Sequence, residues 1–120
     1  MQRVNYVDSE RITGMKEPWE AANATTNIHR MAQKPCFGFQ WKTHAKGRMA
    51  ERNIIMSDIL YVLKNGFVYE KPIPATRDGY YKYAIECKTP NSERSIRLIV
   101  IPNLETCKIK IITVMWADEN

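Results

Sequence analysis

At 120 residues the chain is long enough for one domain and too short for two of ordinary size. Hydrophobic residues at 44% and charged residues at 26% exclude wholesale disorder, and no apolar run approaches the roughly 18 to 20 residues of a membrane span. Eighteen Lys and Arg against thirteen Asp and Glu leave a net charge of +5, which suits a polyanionic partner.

The excess is uneven. Residues 1–40 carry five cations and four anions, whereas residues 41–120 carry thirteen and nine, so a nucleic-acid surface belongs mainly to the second part. The opening Met-Gln-Arg-Val-Asn-Tyr lacks the apolar centre of a signal peptide, and a soluble cytoplasmic domain is expected.

Taken in chain order, residues 1–40 show little periodicity. Glu17-Pro18-Trp19-Glu20 can open a helix that Ala21 and Ala22 continue, but Asn23, Thr25, Thr26 and Asn27 are poor helix formers. Lys34-Pro35-Cys36-Phe37-Gly38 then breaks the chain. The segment reads as an N-terminal extension, with a domain over 41–120. Thr43 can cap a helix running from His44 to Arg52, and Ser57 can cap a second from Asp58 to Asn65 that Gly66 stops.

After Gly66 the apolar period changes to two. Strands are expected over 67–70, 80–88, 94–101 and 107–116, with a break at Pro72-Ile73-Pro74 and turns at 89–92 and 102–105. The order predicts an α+β domain: two helices packed on an antiparallel sheet of about four strands.

Cys36, Cys87 and Cys107 are odd in number and far apart, and neither they nor His29 and His44 make a zinc spacing. Cys87 and Cys107 read as small strand hydrophobes, and no disulfide is expected. With no phosphate-binding glycine loop and no clustered carboxylates, neither a metal nor a small-molecule cofactor is expected.

His44, Arg48 and Glu51 fall within roughly 60° on one helix face, with Arg52 about 80° from His44. An imidazole beside guanidinium groups suits phosphodiester cleavage, which needs proton transfer and fixed positive charge. The same spacing also describes a solvated face with a Glu–Arg pair. Alternation puts Tyr81, Tyr83, Ile85 and Cys87 on one side of their strand and Lys82, Ala84 and Glu86 on the other. Arg97 is the one charge in an apolar strand, at a sheet edge or facing a cleft. Thr113 is β-branched filler or part of that cleft. Trp116 fits a core position or a base-stacking one, and Tyr80-Tyr81-Lys82-Tyr83 fits either cross-strand packing or single-stranded RNA.

Thr43-His44-Ala45, Arg48-Met49, Glu51-Arg52-Asn53-Ile54 and the segment 59–66 resemble the opening of the family called domain of unknown function 4258, with its His-Ala-x-x-Arg-Met-x-x-Arg helix. Lys-Ile-Ile-Thr-Val-Met-Trp over 110–116 resembles that family's closing strand. The resemblance covers about residues 41–118. It implies a fold similar to the RelE-like toxins and other small metal-independent ribonucleases, and an antitoxin protein as partner. The motif carries over to His44, Arg48 and Arg52, and the closing strand to Thr113. Lys82, Tyr83 and Arg97 join the candidate site on their chemistry alone.

The resulting expectation is an endoribonuclease toxin that cuts RNA by 2′-OH attack. His44 would move the proton, Arg48 with Arg97 or Lys82 would hold the phosphate, and Tyr83 would serve as acid. A non-catalytic RNA- or protein-binding module and an immunity or accessory protein are the alternatives. Convergence of His44, Arg48 and a sheet cation on one concave site separates them.

Overall fold

The computed structural model describes residues 17–119. In chain order they form α1 (Ala21–Ala32), β1 (Gly38–Trp41), α2 (Ala45–Arg52), α3 (Met56–Asn65), β2 (Phe67–Val68), β3 (Ile73–Pro74), β4 (Tyr81–Lys88), β5 (Ser95–Asn103) and β6 (Lys108–Trp116). The expected α+β class holds. The sheet, however, has six strands rather than about four, and it is mixed rather than antiparallel.

Its main order is β1-β6-β5-β4-β2, with β3 pairing the free end of β4. Strands β4, β5 and β6 make the antiparallel meander that alternation and turns predict, with Ile85 opposite Leu98 and Leu98 opposite Val114. β1 adds to β6 in parallel, Phe39 facing Ile109 and Trp41 facing Ile111. Pairing this remote leaves no local pattern in so short a strand. β3 forms within the expected Pro72-Ile73-Pro74 break, at a sheet margin where proline's missing N–H is tolerated.

One side of the sheet is the core. Ile85, Ile96, Leu98, Val100, Ile109, Ile111 and Val114 are fully buried there, against Ile28 and Met31 of α1 and Ile59, Val62 and Leu63 of α3. Helix α1 forms despite its composition. Asn23, Thr25, Thr26 and Asn27 together cost roughly 2 to 3 kcal/mol relative to alanine, while burying Ile28 and Met31 contributes about 3 to 6 kcal/mol. Thr25 is also useful in place: its hydroxyl donates to the Ala21 carbonyl and accepts from the Val68 N–H, both at 2.9 Å. The described part of the expected extension thus belongs to the same core and sheet as the rest; residues before 17 lie outside the described residues.

Helix ends differ in detail from expectation. α2 starts after His44 with no side-chain cap from Thr43, and Asn53 ends it in the left-handed region at φ 56°. At α3 it is Asp58 rather than Ser57 that caps. Its carboxylate accepts from the Ile55 N–H at 3.2 Å and from Asn91 Nδ2 at 3.0 Å, fastening the helix to the β4–β5 turn. Gly66 stops the helix in extended conformation, where a Cβ would stand 2.7 Å from the Val62 carbonyl oxygen and 3.1 Å from that of Glu86.

The cysteine expectation is corrected. Cys36 and Cys107 form a disulfide, with Cα atoms 6.0 Å apart, and Cys87 is free. The parallel register places Gly38 opposite Lys108, which brings the residues just before the two strands together. Cys107 itself lies in the turn before β6, at φ 59°, not in a strand. Among the described residues no helix is long and apolar enough to cross a membrane.

Candidate nucleic-acid interface

Helix α2 turns Ala45 into the core at 1% exposure and Met49 partly so, which directs His44 and Arg48 to solvent. They stand one helical turn apart, the Arg48 N–H donating to the His44 carbonyl at 3.1 Å. Among the described residues no side chain holds either the imidazole or the guanidinium. Lys46, on the same helix, lies 5.4 Å from the Trp41 ring centroid.

Arg52 is engaged differently. Its Nε donates to Glu119 Oε1 at 2.7 Å and its Nη2 to Oε2 at 2.8 Å, a two-pronged pair, with Glu51 at 3.5 Å on the outer side. Those bonds, with one from the Trp116 N–H, hold the Glu119 carboxyl down at about 2. Beside it, Arg94 grips Asp118 in the same way, at 2.6 and 3.1 Å, and lies 4.5 Å above the Trp116 ring. Trp116 is half-buried at the rim of the core, opposite Ile96.

The remaining expected site residues lie elsewhere. Lys82, Arg97 and Thr113 occupy the sheet face turned away from the helices. Glu86 and Arg97 are directly opposed there, and Arg97 Nε donates to Glu86 Oε1 at 2.8 Å. Thr113 reaches that face because a bulge skips Ile112: Ile99 pairs with Thr113 while Val100 pairs with Ile111. Tyr83 is buried at 3% exposure. Its hydroxyl accepts from the Trp19 N–H at 2.8 Å, its ring stacks on Trp19 at 5.4 Å, and burial raises its pKa.

The expected convergence of His44 and Arg48 with Lys82 or Arg97 therefore does not occur; the two sets lie on opposite sides of the sheet. Neither does Tyr83 reach them as an acid. The structure instead sets His44, Arg48 and Arg52 at one-turn spacing along α2, and brings Arg52 beside Arg94 and Trp116 at the end of β6. Sequence reasoning misses Arg94 because its only signal is a cation at the start of an expected strand. Its approach to Trp116 depends on the β5–β6 register, which puts Ile96 opposite Trp116.

The family model described as "Domain of unknown function (DUF4258)" matches residues 41–116, from the last residue of β1 to the end of β6. The chain belongs to that family. No curated protein and no solved structure matches it.

Proposed function

We propose that this DUF4258 domain is a RelE-like, metal-independent endoribonuclease, the toxin of a toxin–antitoxin pair, and that it works on RNA at the outer face of α2. The observation that carries this reading is the His44–Arg48 pair: a titratable imidazole and a guanidinium one turn apart, both open to solvent and unpaired among the described residues. Unlike Arg52 and Arg94, Arg48 has no carboxylate to give up before it takes a phosphate.

In this reading the Arg48 guanidinium binds a non-bridging phosphate oxygen. His44 takes the proton from the ribose 2′-OH, and that oxygen attacks phosphorus. The bond to the 5′-oxygen breaks, leaving a 2′,3′-cyclic phosphate, and the departing oxygen takes a proton from water. Arg48 strengthens its hold as charge grows on the phosphorane. Lys82, Tyr83, Arg97 and Thr113 have no part in it, being buried or on the other sheet face. An antitoxin protein would silence the domain by covering α2.

Binding without cleavage is the second reading, favoured by the failure of His44 and Arg48 to meet a sheet cation and by the burial of Tyr83, the group expected to supply a second proton. Labelled single-stranded RNA separates the two. For the nuclease, His44→Ala lowers the cleavage rate by roughly a hundredfold or more while affinity changes little, and Arg48→Ala impairs both. A wild type that binds RNA through Arg48 and leaves it intact is a binding module. One that neither binds nor cuts RNA removes the proposal.

A further inference from the structure

Arg52, Arg94 and Trp116 belong to no part of the cleavage step above, yet their arrangement is what a nucleotide requires. We infer that these three residues form a second RNA subsite, for a phosphodiester and its neighbouring base, and that Asp118 and Glu119 fill it as carboxylate stand-ins for phosphate. The inference rests on the RNA reading of α2 and extends it along the same surface.

Both arginines are held in two-pronged pairs, the geometry a guanidinium uses for carboxylate and phosphate alike. Three carboxylates, Glu51 among them at 3.5 Å from Arg52, meet two guanidiniums, so no positive charge is left over as the site stands; a phosphate must displace a carboxylate to enter. The outer pair is the easier to displace. The Arg94 and Asp118 side chains are 47% and 61% exposed, against 20% and 24% for Arg52 and Glu119. An exposed pair of this kind adds little to stability, so exchanging its anion costs little.

Trp116 supplies the other half of nucleotide recognition. Its ring packs against the core and carries the Arg94 guanidinium at 4.5 Å, so a base stacks on the outer side of that guanidinium while its phosphate is gripped beside it. Position along the helix connects the subsite with the cleavage face. His44, Arg48 and Arg52 succeed one another at one-turn intervals of roughly 6 Å. A strand lying along α2 thus meets the imidazole, then Arg48, then Arg52, and arrives at Arg94 and Trp116. The competing account is a purely structural one, in which the acidic pair fastens α2 to the end of β6.

The test uses the full chain and a fluorescent 2′-O-methyl RNA octamer, which lacks the attacking hydroxyl and stays intact. Asp118→Asn combined with Glu119→Gln should tighten binding about tenfold, the scale of a charged hydrogen bond gained. It should also steepen the salt dependence by roughly 0.7 in log K per log salt for each added phosphate contact. Arg94→Ala, added to that pair, should abolish the gain. Glu70→Gln with Asp78→Asn makes the same charge change on exposed positions remote from the subsite in sequence, and should give little.

An equal gain in that control, or a lower melting temperature with unchanged affinity, overturns the subsite in favour of net charge or of a structural clamp. If wild-type binding depends on Arg48 but the acidic-pair variant gains nothing, the subsite falls and the α2 reading stands. If the variant binds through Arg94 while Arg48→Ala changes nothing, the subsite stands and the α2 reading falls. No binding by any form removes both.

Discussion

Reducing the Cys36–Cys107 bond, or replacing Cys36 by serine, should lower stability far more than the loss of one small side chain. The two cysteines are 71 residues apart, so the bond closes a loop that includes α2, α3 and most of the sheet. Tying that loop in the unfolded chain removes conformational entropy worth roughly 4 kcal/mol at room temperature on the chain-entropy account. For a domain of this size that corresponds to a fall in melting temperature on the order of 10 to 20 °C. Two measurements check it: a thiol titration of the denatured, unreduced protein, and thermal melts of oxidised, reduced and Cys36→Ser protein. The titration should find one thiol, Cys87, and the reduced and serine forms should melt together well below the oxidised one. Three titratable thiols would show that the bond does not form. A single thiol with melts within 2 to 3 °C, about 1 kcal/mol or less, would refute the loop-closure reasoning.

Tyr83→Phe should cost about 1 kcal/mol, the net worth of the hydroxyl's bond from Trp19, and leave RNA cleavage unchanged; a large loss of activity in a folded variant would return Tyr83 to the mechanism. Gly66→Ala should destabilise by roughly 1 to 3 kcal/mol, because the new Cβ meets two backbone oxygens that cannot swing aside; an unchanged melt would show that the α3–β2 corner yields. Glu119 has its carboxyl lowered in the fold, so its pairing with Arg52 stabilises fully above the ordinary carboxylate range and is lost as pH falls toward about 2. Melts of wild type and Glu119→Gln should therefore converge on acidification from pH 5, and a gap that stays constant down to pH 2 would contradict that pairing.

The parts of the fold that were readable are those written in local pattern. Alternation from Tyr81 to Cys87 and from Ser95 to Ile101 assigns each residue to its observed side, and the polar turns between them set the meander. The unreadable parts depend on partners distant in sequence. α1 is stabilised by burial against α3 rather than by its own propensity, and β1 is four residues whose neighbour lies seventy positions on. The disulfide follows from that same pairing. At the site, the spacing of His44 and Arg48 identified one exposed face, and nothing in it depended on tertiary structure. Arg97 reads as a lone charge at a sheet edge or a cleft because its partner Glu86 is visible only once the β4–β5 register is known. Thr113 resembled a family position, but the bulge at Ile112 turns it to the other face.

The place of β6 has a consequence for how the protein is made. Of the described elements this strand is the last to be made, yet it lies in the interior of the sheet between β5 and β1. Until it arrives, β1 has no sheet neighbour, Cys36 has no thiol opposite it, and the floor beneath α2 is missing. Long-range pairing of this kind must bear its loop-closure cost before any contact offsets it. A nascent chain stalled before residue 108 can therefore build the α3–β4–β5 half but cannot seat α2, and the His44–Arg48 face has no fixed geometry until β6 is in place. If the domain cuts RNA, that ordering keeps it inert toward the message and ribosome that are producing it.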